Sequence, residues 1–304
     1  MKAQALAIWL LGAVSAQAQI GALPLGVEDG LAALGPVVDP ARTAALLAPF
    51  HQPFPRPGVR EVLDQAYGPD PRQQLDIFVA ETPGPARPIL VFVHGGAFTG
   101  GDKRSANGFA YQNIGAWAVG AGMVGINVTY RLAPAHPWPA AAEDLAAAIG
   151  WIRARAPDFG GNPDRIILVG HSAGAAHAAA FAATGEGIAG LVLISGLYDI
   201  AALPPSPGIE AYYGTDRSFY AERGSLEGLA ATDLPIMQAT AALDPPGFLR
   251  QGEALQAALC ARPVGCAPAM ARLPGHNHLS TVFAIGTADR ELSDAIAGFV
   301  QRLR

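Results

Sequence analysis

From about residue 59 onward, short apolar runs alternate with longer segments that repeat at helical spacing. Residues 62–67 and 75–79 read as two strands joined by the turn-rich Gly68-Pro69-Asp70-Pro71. Residues 89–93 and 124–130 are continuous apolar runs, the pattern of central strands covered on both faces. Residues 166–169, 191–194 and 236–240 complete the central set, and 267–273 is expected as the last strand. Helical spacing marks 140–154, the Ala-rich 173–183, and the amphipathic 247–259 and 288–303. This alternation predicts an α/β fold with a doubly wound, mostly parallel sheet and helices on both faces. Residues 201–232, with Pro204-Pro205, Pro207 and several glycines, interrupt it and read as a small cap insertion within one domain. Residues 19–58 are rich in Pro, Ala and Gly without a sustained period, and are expected to form an irregular N-terminal arm folded over the domain.

Composition supports a packed globular chain: of 304 residues, 51% are hydrophobic and 15% charged. The formal net charge of -5 argues against a nucleic-acid surface, which needs a basic stripe. Met1-Lys2, the apolar run 5–14 and the small residues of Ala16-Gln17-Ala18 form a signal-peptide pattern over 1–18, with the cut expected before Gln19. That apolar run is shorter than the about 20 residues a membrane span requires. The expected product is an exported protein, periplasmic or secreted, with no integral membrane span. In an oxidising compartment the two cysteines, Cys260 and Cys266, are expected to pair, closing a short loop for about 2 kcal/mol of stability. Their spacing is not a zinc spacing, and the histidines supply no convergent set of ligands.

The chemistry concentrates at strand ends. Gly170-His171-Ser172-Ala173-Gly174 follows an apolar strand and opens an Ala-rich helix, the context that a G-x-S-x-G nucleophile elbow requires. His94-Gly95-Gly96-Ala97-Phe98 also follows a buried strand and matches an oxyanion loop. The expected oxyanion donors are the backbone N–H groups of Gly96, Ala97 and Ala173. No G-x-G-x-x-G stands at this turn, so a dinucleotide site is not indicated. The acid and base should follow Ser172 in chain order. Asp244, in Leu243-Asp244-Pro245-Pro246, is the expected acid; Asp199 competes from the preceding loop and reads as a turn or capping residue. The base comes from Gly275-His276-Asn277-His278-Leu279-Ser280, where chain order does not choose between the two histidines. Among the others, His94 is expected to order its loop, His136 sits in a Pro-rich turn, His171 holds the variable elbow position and His177 lies on the Ala-rich helix.

The H-G-G loop, the N-V-T-Y-R-L-A-P segment at 127–134, Trp138-Pro139, Glu143-Asp144 with Trp151, and the G-H-S-A-G elbow together resemble bacterial carboxylesterases of the hormone-sensitive-lipase-like branch. The resemblance runs from about Tyr67 to the C-terminus and is most specific between His94 and Gly174. It implies an eight-stranded α/β-hydrolase core, no cofactor, and a small-molecule ester hydrolysed through an acyl-enzyme. It also selects His278 as base, because the catalytic histidine of such proteins tends to precede an apolar and then a small or polar residue. Ser280 is expected to cap the turn after His278, and His276 to be a loop or pocket-rim residue. The family loop is usually H-G-G-G; Ala97 at the third glycine keeps its N–H and bears on acyl-pocket shape. Glu143 and Asp144 look structural in this family. An arylformamidase-like amide hydrolase uses the same constellation, and a binding protein on this fold is the rival from another class.

Overall fold

The computed structural model describes residues 22–105, 108–262 and 272–303. The leader expected at 1–18 and Cys266 lie outside the described residues, as does nearly all of the strand expected at 267–273.

Seven strands form the central sheet: β1 (Val59–Ala66), β2 (Gln74–Ala80), β3 (Arg87–Val93), β4 (Val124–Val128), β5 (Gly161–His171), β6 (Gly190–Ile194) and β7 (Ile236–Ala239). Their order is β1-β2-β4-β3-β5-β6-β7. The β1–β2 and β2–β4 pairs are antiparallel and the rest are parallel. The continuous apolar run of β3 is explained by its two covered faces. Ile89, Val91 and Val93 point into one core with helices α4 (Ala140–Arg155) and α5 (Ala173–Thr184). Leu90 and Phe92 point into the other with α3 (Gln112–Gly120) and α11 (Glu291–Arg302).

The eighth strand is present but joined differently from the expected eight-stranded sheet. β8 (Ala241–Leu243) follows β7 across Thr240 and pairs in parallel with β9 (Leu273–Asn277) as a separate ladder. The break has a local cause: the Ala241 N–H donates to the Asp244 carboxylate at 2.7 Å instead of continuing the sheet. Leu273 N–H donates to Thr240 O at 2.8 Å, so β9 begins where the sheet is interrupted.

The N-terminal arm is not irregular. It contains α1 (Val27–Leu34) and α2 (Pro40–Leu47), whose Val27, Leu31 and Leu47 are buried in the second core. Asp39 starts α2 by accepting from Arg42 N–H at 3.0 Å, and Pro40 occupies the first turn, where its missing N–H costs nothing. The cap is built from α6 (Pro207–Tyr213), α7 (Tyr220–Arg223) and α8 (Leu226–Ala231). It is seated on the His94–Phe98 loop by the stacked rings of Tyr212 and Phe98, 5.1 Å apart. Helix α9 (Pro246–Cys260) follows Asp244, and the single turn α10 (Ser280–Phe283) follows β9. Asp144 is wholly buried and accepts from Arg131 N–H and from Gln73 Nε2, each at 2.7 Å, so it ties loops together rather than facing a site. Among the described residues no helix is long and apolar enough to cross a membrane.

Candidate active site

The turn from β5 into α5 holds Ser172 at φ 57° and ψ −125°. Such backbone costs roughly 1–3 kcal/mol and persists only where the surroundings enforce it. Here Ser172 N–H donates to Ile194 O at 2.9 Å, and Ser172 O accepts from Ala175 N–H at 3.0 Å. The flanking glycines are required by close approach. A Cβ at Gly170 would lie 2.5 Å from Gly174 O, and one at Gly174 would lie 2.2 Å from Val93 O. The elbow is thereby pressed against the end of β3, which brings the His94–Phe98 loop beside Ser172.

Ser172, His278 and Asp244 meet although 106 and 34 residues separate their links in the chain. His278 Nε2 lies 2.8 Å from Ser172 Oγ, and His278 Nδ1 lies 2.7 Å from Asp244 Oδ1. Asp244 is buried, and its second oxygen accepts from Ser195 Oγ and from Ala241 N–H, both at 2.7 Å. The carboxylate is thus held on both oxygens, and the Nδ1–H tautomer of His278 is the one that fits. The His278 ring packs against Phe248, centroids 4.3 Å apart. Its carbonyl accepts from His171 Nε2 at 2.8 Å and from Thr281 Oγ1 at 3.0 Å. Ser195 and Phe248 were not visible as site residues in the sequence. Ser195 ends an ordinary apolar strand, and its position beside Asp244 is set only by strand order. Asp199 is a turn residue as read, accepting from Ala202 N–H at 3.2 Å.

His276 is not at a rim. It is buried on β9, with Nε2 3.0 Å from Asp289 Oδ2 and Nδ1 3.0 Å from Ser280 Oγ. Nor does Ser280 provide the cap after His278. Asn277 does, its Oδ1 accepting from Leu279 N–H at 3.2 Å and Ser280 N–H at 2.9 Å. Ser280 Oγ instead accepts from Asn277 N–H at 2.9 Å. Asparagine one residue before His278 closes the turn better because its amide oxygen reaches both following N–H groups.

Gly96, at φ 142°, and Ala97, at φ 50°, curve the His94–Phe98 loop around the serine. Among the described residues no protein acceptor takes the N–H of Gly96, Ala97 or Ala173, and all three residues line the same cavity as Ser172. That cavity has a volume of about 820 Å³ and is walled mostly by apolar side chains, among them Leu197, Ile209, Phe248, Leu279 and Phe283.

Three histidines beside the site are wholly buried and held neutral by desolvation. His94 is pushed down to about 4, and His171 and His177 to about 3. His94 stacks on Tyr130 at 4.5 Å, and Tyr130 Oη donates to His94 O at 2.7 Å, which fixes the start of the His94–Phe98 loop. The unfolded chain protonates histidine near pH 6.5, whereas the folded chain resists until about pH 3–4. Their contribution to stability is therefore complete above about pH 6.5 and is lost as pH falls toward the folded values. Each group can contribute up to about 1.4 kcal/mol per pH unit in that window, so stability against urea should fall as pH drops from 6 toward 4. His177→Phe should make the slope shallower; a stability that stays flat from pH 7 to 4.5 would contradict the neutral-histidine account.

Residues 75–192 match the BD-FAE family. Esterase LipQ of Mycobacterium tuberculosis (strain H37Rv) is 39% identical over 147 residues, 47% of this chain and 34% of that protein. Carboxylesterase NlhH of the same strain is 37% identical over 107 residues, 35% of this chain and 32% of its own. The chain thus spans about a third of the length of these curated relatives. Among solved structures, esterase B from Lactobacillus rhamnosis superimposes with a TM-score of 0.72 at 19% identity, over 86% of this chain and 92% of that one. An esterase from Pyrobaculum calidifontis gives a TM-score of 0.65 at 22% identity, over 90% and 95%. These structural likenesses establish the fold.

Proposed function

We propose that this chain belongs to the hormone-sensitive-lipase-like branch of bacterial carboxylesterases, a reading its partial matches support, and that it hydrolyses carboxylic esters through an acyl-enzyme formed on Ser172. The observation that carries the reading is the unbroken chain from Ser172 Oγ through His278 to Asp244, at 2.8 and 2.7 Å. His278 takes the serine proton as Oγ attacks the ester carbonyl. Asp244, held by Ser195 and the Ala241 N–H, keeps the imidazole oriented and stabilises its cation. The developing oxyanion sits against the N–H groups of Gly96, Ala97 and Ala173, which supply charge stabilisation without reorganising. His278 returns the proton to the leaving alcohol, and water repeats the attack on the acyl-enzyme.

Short acyl groups are the expected substrates. The cap helices span only 7, 4 and 6 residues, and none offers the long amphipathic face suited to a lipid interface. A fluorophosphonate probe should label Ser172 in the wild type. Across p-nitrophenyl esters and matched aryl amides, the C2–C6 esters should turn over fastest. Absence of labelling would remove the serine-hydrolase reading. Faster turnover of C12–C16 esters would overturn the acyl-length assignment, and faster turnover of the amides would move the activity to amide hydrolysis.

A further inference from the structure

His278 is not carried by a long element. It stands between β9 and the single turn α10, and its backbone is fixed by its neighbours. Asn277, wholly buried, closes that turn with its amide oxygen, as described above, and its Nδ2 donates to Thr43 Oγ1 at 2.9 Å. Thr43 is itself wholly buried and lies on α2, 234 residues earlier in the chain. The arm makes a second tie to the same turn where His51 Nε2 donates to Phe283 O at 2.7 Å. At the start of α2, Val38 and Pro40 line the cavity that holds Ser172. About one helical turn therefore separates the arm's contact with the substrate space from its contact with the turn that carries His278.

We propose that Thr43 is a positioning residue for His278, acting through the side chain of Asn277. Helix α2 then serves proton transfer as well as the cavity wall. The inference rests on the reading of Ser172 as nucleophile and His278 as base. Its physical basis is the directionality of the Asn277 amide. With Nδ2 held by Thr43, Oδ1 is aimed at the N–H groups of Leu279 and Ser280, and the backbone of His278 has one setting. Without the hydroxyl partner the amide is free to rotate, the turn loosens, and Nε2 drifts from Ser172 Oγ. Displacement of a catalytic group by about 1 Å can cost on the order of 10²-fold in rate. A hydroxyl that merely held the arm in place would affect melting temperature and leave chemistry in the folded enzyme alone.

The test uses the full chain with Thr43→Val, which keeps the shape and removes the hydroxyl, and Thr43→Ser, which keeps the hydroxyl. Thr43→Ala serves as a second deletion that adds no branched side chain. Each is assayed on one short activated ester for kcat and KM, and for the rate of fluorophosphonate labelling at Ser172. Thr43→Val and Thr43→Ala should lower kcat by roughly tenfold or more with KM within about twofold. Labelling should slow by a similar factor, and Thr43→Ser should restore both rates. Unchanged kcat and labelling in folded deletion variants, even with a lowered melting temperature, would overturn the inference, as would a rise in KM alone. Failure of the wild type to label at Ser172 is a separate result, and it would remove the serine-hydrolase reading rather than the role of Thr43.

Discussion

Replacing Ser172 by alanine should leave the fold intact and remove turnover almost completely, by about 10⁶-fold if the three residues act as a unit. Among the described residues the hydroxyl makes one hydrogen bond, at 2.8 Å to His278 Nε2. What holds the elbow is backbone: the bond from Ser172 N–H to Ile194 O and the close approach of Gly170 and Gly174 to their neighbours. None of these needs the Oγ, so stability and catalysis separate cleanly at this position. Alanine at φ 57° meets the same strain as serine, so the melting temperature should stay near that of the wild type. Turnover of p-nitrophenyl acetate by a folded Ser172→Ala within tenfold of wild type would sink the proposed mechanism. Residual hydrolysis above the uncatalysed rate is expected, because the N–H groups of Gly96, Ala97 and Ala173 remain in place.

The elbow and the tight His94–Phe98 loop were legible in sequence because each is a local pattern with a local cause. An apolar strand leads into glycines that admit close backbone approach, and a helix former follows. The alternation of strands and helices was legible for the same reason, down to the continuous run of β3 that fills both cores. The arm was not. Helices α1 and α2 have only eight residues each, too short for a period to emerge, and their stability comes from burying Leu31 and Leu47 rather than from propensity. The Asp39-Pro40 start signal was present but had no long helix behind it to give it weight. Helix α3 escaped because it contains Gly115, whose missing side chain is needed by the sheet: a Cβ there would lie 2.2 Å from the Phe78 ring. β9 reads Leu-Pro-Gly-His-Asn, a turn by composition, and is a strand only because β8 offers it an edge. The contacts of Asp244 with Ser195, and of Asn277 with Thr43, join segments remote in sequence and leave no trace in either one.

The histidine pair gives the second large effect. His278→Ala should lose at least about 10⁴-fold in kcat, since it removes the proton acceptor of Ser172 and the partner of Asp244 together. His276→Ala should behave differently. His276 is engaged on both nitrogens, by Asp289 and Ser280, and both of these partners are buried. Its removal leaves the Asp289 carboxylate in the interior with the Glu291 N–H, at 3.0 Å, as its remaining donor, and an under-satisfied buried acceptor typically costs about 1–3 kcal/mol. It also withdraws one hydrogen bond from Ser280, whose hydroxyl still meets Asn277 N–H and O at 2.9 and 3.2 Å. The expected result is a clear drop in melting temperature with kcat per folded molecule within roughly tenfold of wild type, because the amide oxygen of Asn277 still closes the turn around His278. The two variants therefore separate along two axes, one losing chemistry and the other stability. Activity and melting temperature measured on the same preparations decide the matter. A folded His276→Ala that loses more kcat than His278→Ala would show that the base had been assigned to the wrong residue.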